Sequence, residues 1–259
     1  MTTYDFIGRT AVVTGGSRGI GYATAALLAA SGADVILTAR DAARADDAAR
    51  TITDSLPDSA GSVTGTAAHA ADPAAARAVC DIAVDTTGRL DILVNNAGTN
   101  PAYGPVTDQD PALVAKVFEI NTTAPAVWTA AALAAGLGTV GTGAVVNIAS
   151  IGALTMEDGI GVYNASKAAL VHLTRQMARE LGPRVRVNSV CPGVVRTRLS
   201  EALWRDHEDT VTAVTPLARI GEPSDIADAV AFLAAPSTSW ITGANLVVDG
   251  GQLVGTVGH

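Results

Sequence analysis

The stretch Thr10-Ala11-Val12-Val13-Thr14-Gly15-Gly16-Ser17-Arg18-Gly19-Ile20-Gly21 passes from an apolar, β-branched run into a glycine-rich turn, and an Ala- and Leu-rich helical pattern follows at once. Strand, glycine turn and helix in that order make a place for a phosphate. Glycines at 15, 19 and 21 allow a tight turn and a close approach of backbone to a pyrophosphate, while the helix N-terminus supplies amide donors and a favourable dipole. The spacing is Gly-x-x-x-Gly-x-Gly rather than the Gly-x-Gly-x-x-Gly of the common dinucleotide fingerprint. Its position between the first strand and the first helix favours a nucleotide over an ordinary turn.

Outward from this unit the pattern repeats. Strands are expected at Thr10–Thr14, Asp34–Thr38, Val63–Ala67, Ile92–Asn95, Ala144–Ala149, Arg186–Val190 and Asn245–Val248, several of them continuous apolar runs of the kind buried on both faces of a parallel sheet. Helices are expected at Gly19–Ser31, Asp41–Arg50, Pro73–Thr87, Pro111–Ala135, Tyr163–Leu181 and Pro223–Ala234. The alternation implies an α/β fold, a doubly wound parallel sheet in three α/β/α layers. No linker or repeat divides it, so residues 1–259 read as a single domain. Such sheets bind ligands beyond the carboxyl ends of their strands, and the chemically suggestive residues of this chain follow strands.

The net charge of −8 argues against nucleic acid as a partner, because binding a phosphate backbone needs a basic surface. No apolar run is long enough to span a membrane, and Met1-Thr2-Thr3-Tyr4-Asp5 lacks the basic and apolar regions of a signal peptide, so a cytoplasmic protein is expected. Cys80 and Cys191 lie far apart, and His69, His172, His207 and His259 are scattered. Neither set has metal-ligand spacing, and no metal is expected.

The run Tyr163-Asn164-Ala165-Ser166-Lys167 puts a phenol and an ammonium one helical turn apart, on one face. An ammonium beside a phenol stabilises the phenolate and lowers the Tyr pKa toward neutrality, which suits carbonyl and alcohol chemistry. The same spacing is usually just a solvated helix face, so its meaning depends on what accompanies it.

Together these motifs resemble the short-chain dehydrogenase/reductase family over essentially the whole chain. Thr14 to Gly21 matches the family's Thr-Gly-x-x-x-Gly-x-Gly. Asn95-Asn96-Ala97-Gly98 matches its Asn-Asn-Ala-Gly, Tyr163 to Lys167 its Tyr-x-x-x-Lys, and Pro192-Gly193 its Pro-Gly turn. Pro216-Leu217-Ala218-Arg219, Gly221-Glu222-Pro223 and Asp249-Gly250-Gly251 are similar as well. The resemblance is to the short single-domain branch and implies a Rossmann-type fold around a nicotinamide dinucleotide. It places Gly15, Ser17, Arg18, Gly19, Ile20 and Gly21 at the cofactor, with Asn95, Ala97 and Gly98 after the fourth strand. Tyr163 and Lys167 also reach it, as do Pro192, Gly193, Val195 and Thr197, the last two beside the nicotinamide carboxamide.

NADP(H) is expected in preference to NAD(H). Binders of NAD place Asp or Glu at the end of the second strand, for the ribose 2′-hydroxyl. Ala39 stands there in this chain, Arg40 follows it, and Arg18 lies in the glycine turn. Two guanidiniums near one point suit a 2′-phosphate. Relatives often carry Asp or Asn before Val at the adenine; the matching run here is His69-Ala70-Ala71-Asp72-Pro73, which leaves His69 and Ala70 as the adenine candidates and gives Asp72 a reading as a helix N-cap.

The resemblance also identifies Ser150, thirteen residues before Tyr163, as the catalytic serine. Asn121, in Glu119-Ile120-Asn121-Thr122, matches the helix asparagine that anchors a water between Lys167 and a proton relay. The implied activity is reduction of a ketone to a secondary alcohol by hydride from NADPH. Ser150 and Tyr163 donate to the carbonyl oxygen, Tyr163 delivers the proton, and Lys167 lowers the Tyr pKa and binds the ribose hydroxyls. The alternatives are an NAD-dependent alcohol or sugar dehydrogenase, and a catalytically inactive nucleotide-sensing protein. The intact set Asn121, Ser150, Tyr163 and Lys167 counts against the second.

Three segments are expected around the substrate: Thr99–Pro105, Ile151–Val162, and a mobile lid at Arg198–Thr215. Tyr103, Leu154, Met156, Leu203 and Trp204 are candidates for an apolar lining, whereas Glu157 and Asp158 read as exposed loop. The expected partner is a small-molecule carbonyl compound, free or carrier-bound. Many similar proteins are 3-oxoacyl-(acyl-carrier-protein) reductases, which dock an acidic carrier on basic residues near the entrance. Ala134–Gly143 has no Lys or Arg, which leaves Arg184 and Arg186 for that task. Relatives are commonly homotetramers, so a homotetramer or dimer is expected, packed through Pro111–Ala135, Tyr163–Leu181 and the tail Gln252–His259.

Overall fold

A strand buried on both faces sends alternate side chains into two different layers, and here that alternation assigns each helix to its face. The computed structural model describes residues 4–57 and 60–255. Residues 1–3, at the start of the N-terminal stretch, and 256–259, the end of the tail expected between copies, lie outside the described residues. Seven parallel strands form one sheet in the order β3-β2-β1-β4-β5-β6-β7. They are β1 Thr10–Val13, β2 Asp34–Ala39, β3 Val63–Ala67, β4 Ile92–Asn95, β5 Gly143–Ile148, β6 Val185–Pro192 and β7 Asn245–Val248. Ala11, Val13, Val35, Leu37, Ile92, Val94, Val146 and Ile148 face one layer. There they meet α1 Gly19–Ala30, α2 Ala42–Thr53 and α9 Pro223–Ala234. Val12, Ile36, Leu93, Val145 and Val187 face the other, against α3 Pro73–Thr87, α5 Ala124–Ala135 and α6 Gly161–Leu181. The strand order reverses between β1 and β4, which opens a crevice at their carboxyl ends.

The sequence signals place most helix ends. Asp72 accepts from the Ala74 and Ala75 amides (2.9 and 3.2 Å) with Pro73 at the first helical position, the cap expected for α3. Asp41 accepts from the Arg44 amide at 2.9 Å and starts α2, which runs on to Thr53. The expected continuous helix Pro111–Ala135 is instead α4 Pro111–Phe118, a π-helical turn Glu119–Thr123 and α5. Asn121 sits in that turn, and π turns inside helices concentrate at functional sites. The lid segment holds two short helices, α7 Glu201–Trp204 and α8 Glu208–Ala213.

Arg186 corrects one expectation. It is buried on β6, and its guanidinium donates to the carbonyls of Leu233, Ala234, Ala235 and Ile241 (2.8, 3.3, 3.1 and 3.2 Å). A cation over the last carbonyls of α9 stabilises that helix end, so Arg186 is structural and does not meet a carrier protein. Arg184 remains exposed. Among the described residues, no helix is long and apolar enough to cross a membrane, and no three His, Cys, Asp or Glu side chains group as metal ligands.

Candidate active site

The crevice floor is the turn after β1. Gly15 and Gly19 adopt φ of +63° and +55°, the left-handed region that a Cβ disfavours. Gly21 has no room for a side chain: a Cβ there would stand 2.3 Å from Asn96 Nδ2 and 2.5 Å from the Gly15 carbonyl oxygen. Asn96 braces this turn, donating from Nδ2 to the carbonyls of Thr14 and Gly15 (2.8 and 2.9 Å). The Thr14 hydroxyl accepts from the Asn96 and Ala97 amides (3.0 and 3.1 Å), which ties the loop after β4 to the loop after β1. Asn95, expected at the cofactor, turns its side chain the other way. It is buried in β4 and donates to Asn147 Oδ1 at 2.8 Å and to the Pro125 carbonyl at 3.3 Å, because strand alternation aims successive residues at opposite layers. Asn96, quoted only as part of a motif, therefore holds the cradle together.

Ser17, Ile20 and Gly19 stay partly exposed on the turn. Ala39 is buried at the end of β2, and Arg40 beyond it is exposed. A cleft of about 440 Å³ lies here, lined by Arg18, Arg40, Arg44, Thr99, Asn100, Pro101, Arg198 and Leu199. Two of its four guanidiniums, Arg44 and Arg198, escaped the sequence reading. Nothing in their spacing links them to the glycine turn, and only the fold brings them together. Burial lowers the Arg18 pKa, and the charges of Arg198, Arg44 and Arg40 lower it further. Among the described residues none of the four is in an ion pair. A cradle without side chains, a helix N-terminus and four free guanidiniums fit an anionic dinucleotide.

His69 is exposed and uses Nδ1 to accept from the Ala71 amide at 3.2 Å, while the Ala70 carbonyl accepts from Trp128 Nε1 at 2.9 Å. Neither lines the arginine cleft. On the far side Pro192 ends β6, the Gly193 amide donates to the Val248 carbonyl at 3.0 Å, and Val195 is buried with its backbone bridged to Gly221. The Thr197 hydroxyl meets that of Ser200 at 2.9 Å, at the start of the lid.

Ser150, Tyr163, Lys167 and Asn121 converge beyond β5. Ser150 lies two residues past the end of β5, and its hydroxyl accepts from the Gly152 amide at 3.1 Å. Tyr163 and Lys167 share a face of α6, with Lys167 Nζ 5.8 Å from the phenol ring centroid. Lys167 is buried and donates to the Ile148 carbonyl at 2.7 Å. Asn121 is fully buried: Oδ1 accepts from the Thr99 amide, and Nδ2 donates to the Thr99 carbonyl (both 2.9 Å) and to Ser166 Oγ (3.0 Å). A Cβ on Gly98 would stand 3.6 Å from both Asn121 Oδ1 and Lys167 Nζ. The 98–101 loop thus spans the distance from the arginine cleft to the proton-handling group.

The electrostatics differ from the simple phenol–ammonium expectation. Burial pushes the Tyr163 phenol up to about 12; the Ser150 hydroxyl draws it down, while the charges of Glu157 and Cys191 raise it. Burial brings the Lys167 ammonium down to about 8, with Cys191 opposing. Tyr103, Leu154, Met156 and Leu203 are exposed, Trp204 is half-exposed, and Glu157 and Asp158 lie on an exposed loop.

A family model described as Enoyl-(Acyl carrier protein) reductase matches residues 15–252. Human dehydrogenase/reductase SDR family member 4 is 38% identical over 255 residues, which cover 97% of this chain and 90% of that protein. A short-chain type dehydrogenase/reductase from Mycobacterium marinum superposes with a TM-score of 0.89 at 31% identity, covering 96% of this chain and 97% of that one. A structure from Beutenbergia cavernae, solved as a candidate NAD(P)-dependent gluconate 5-dehydrogenase with NADP bound at low occupancy, has a TM-score of 0.88 at 35% identity, covering 97% and 99%.

Proposed function

Because this chain belongs to the short-chain dehydrogenase/reductase family, we propose that it is an NADP(H)-dependent oxidoreductase that reduces a ketone to a secondary alcohol, with Tyr163 as proton donor. The observation that carries the reading is the 98–101 loop: Thr99 lines the arginine cleft, and both its backbone groups are held by Asn121, beside Lys167. One short segment thereby joins a multiply anionic ligand's site to a proton-handling group.

When bound, the nicotinamide supplies the hydride. The rest falls to the chain. Ser150 and Tyr163 hydroxyls hold the carbonyl oxygen as negative charge develops on it. A phenol held at about 12 is protonated at neutral pH, as a proton donor must be. Lys167 lies behind it as a buried ammonium, placed to compensate charge on the phenol oxygen after the proton leaves, and Asn121 keeps the π turn and the Thr99 loop in register. Arg18, Arg40 and Arg44 hold the 2′-phosphate, where Ala39 leaves no carboxylate to repel it. The substrate is a small carbonyl compound; with Arg186 buried, Arg184 alone remains of the basic pair considered for a carrier protein. Copies of the chain associate as a tetramer or dimer through α4, α5 and α6.

A panel of ketones and alcohols, each tried with NADPH/NADP+ and NADH/NAD+, tests this through the absorbance of the reduced nicotinamide. At least one ketone should be reduced with NADPH, with kcat/KM about 100-fold above NADH, the effect of one or two charge-assisted bonds to the extra phosphate. Equal use of NADH would remove the cofactor assignment. Oxidation of alcohols with NAD+ alone would favour the dehydrogenase reading.

A further inference from the structure

The four guanidiniums of the cleft come from three separate parts of the chain. Arg18 belongs to the glycine turn, Arg40 and Arg44 flank the start of α2, and Arg198 is the first residue of the lid segment. The lid stem rests directly on the phosphate turn: a Cβ built on Gly19 would stand 3.3 Å from Thr197 Cγ2, one residue before Arg198. Two residues earlier, Arg196 is fully engaged. It pairs with Glu208 of α8 and Glu222 (3.0 Å to the latter), and its guanidinium lies 5.2 Å from the Trp204 ring. Two arginines two residues apart on this stem therefore have opposite situations. Arg196 is tied into the lid by two carboxylates, and Arg198 faces the cleft and is in no ion pair among the described residues. Asp41, between Arg40 and Arg44 in sequence, accepts at Oδ1 from the Arg44 amide as the α2 cap.

Like charges gathered at one cleft favour whatever anion neutralises most of them. A phosphate monoester carries about −1.5 to −2 at neutral pH. A dinucleotide with the 2′-phosphate therefore brings about twice the charge of one without. We propose that Arg198 is a specificity-determining residue carried by the lid, which joins Arg18, Arg40 and Arg44 in one anion clamp and so couples the position of the lid to the 2′-phosphate of the cofactor. The proposal rests on the cofactor reading above and adds to it the lid residue and its consequence for Trp204. The charge of Arg198 is the foremost of the three that disfavour ionised Arg18, as expected where the two share one site.

The experiment is calorimetric titration of NADP+ and NAD+ into the wild-type chain and into Arg198→Gln, Arg198→Lys and Arg40→Gln. It is combined with tryptophan emission on adding 2′,5′-ADP, the Trp204 share being identified by its loss in Trp204→Phe. Arg198→Gln should weaken NADP+ binding about tenfold and NAD+ binding less than about threefold, in line with loss of one charge-assisted contact. It should also abolish the Trp204 response to 2′,5′-ADP, and Arg198→Lys should restore part of both. Wild-type affinities in Arg198→Gln, or equal loss for the two dinucleotides, would overturn the assignment. An unchanged Trp204 response would do the same. If Arg40→Gln removes the preference for NADP+ while Arg198→Gln keeps it, the cofactor reading stands and the Arg198 assignment falls. If the wild-type chain shows no preference, both fall.

Discussion

The two ends of the sheet use the same residue type in opposite ways. At the amino end, Asp91 is buried and closed on from three sides: Arg89 donates to it twice (2.7 and 2.6 Å), Arg9 at 3.3 Å, and the Thr10 amide at 2.9 Å. At the carboxyl end, Arg18, Arg40, Arg44 and Arg198 share a cleft, and among the described residues none is in an ion pair. The amino end is complete in itself and fastens β1 to the α3–β4 connection. The carboxyl end gathers like charges, which an anion bound there would neutralise. Four arginines gathered at one cleft outside any ion pair are the feature on which the proposed anionic cofactor rests.

Substitutions at the two ends should separate stability from cofactor choice. Asp91→Ala leaves two partly exposed guanidiniums without their carboxylate and should cost roughly 2–3 kcal/mol in urea unfolding, below the full penalty of breaking a buried pair. It should leave the NADPH/NADH ratio unchanged. Arg40→Gln should do the reverse, lowering NADPH selectivity by about tenfold with the midpoint of unfolding unchanged or raised, since it removes repulsion. Loss of stability in Arg40→Gln together with intact selectivity would erase the contrast.

The smallest effect concerns pH. Lys167 has a folded pKa of about 8 against 10.5 for the free side chain. Between those values the unfolded chain binds more protons than the folded one, so this residue makes the ligand-free protein more stable as pH rises through that window. Tyr163, raised from 10.0 to about 12, works in the opposite sense only above 10. Comparing wild type with Lys167→Met at pH 8, 9 and 10 isolates the effect. The wild-type midpoint should gain on the variant as pH rises, and a constant difference would show that the ammonium is not held at a cost.

Much of the fold was legible because the strands are continuous apolar runs and the turns carry Gly, Pro and Asp. The Asp72 cap and the strand β4 needed no tertiary information. What the sequence hid depends on contacts between distant segments. The π turn at Asn121 looks like uninterrupted helix, because the bonds that Asn121 makes there reach Thr99 and Ser166 in distant segments. Arg186 reads as surface because a charged residue in a strand gives no hint that the end of α9 covers it. Helical spacing put Tyr163 and Lys167 on one face but could not fix where the ammonium points, and it points to Ile148. Arg44 and Arg198 are ordinary in their local sequence, and only the reversal of strand order between β1 and β4 opens the crevice that collects them.

The central claim is most directly tested by Tyr163→Phe, assayed for ketone-dependent oxidation of NADPH with NADPH binding measured on the same sample. Turnover should fall about 10³-fold, as for loss of a positioned proton donor, while the dissociation constant for NADPH stays within about threefold, since the arginine cleft is untouched. Turnover retained near the wild-type rate, with the cofactor still bound, would contradict the account.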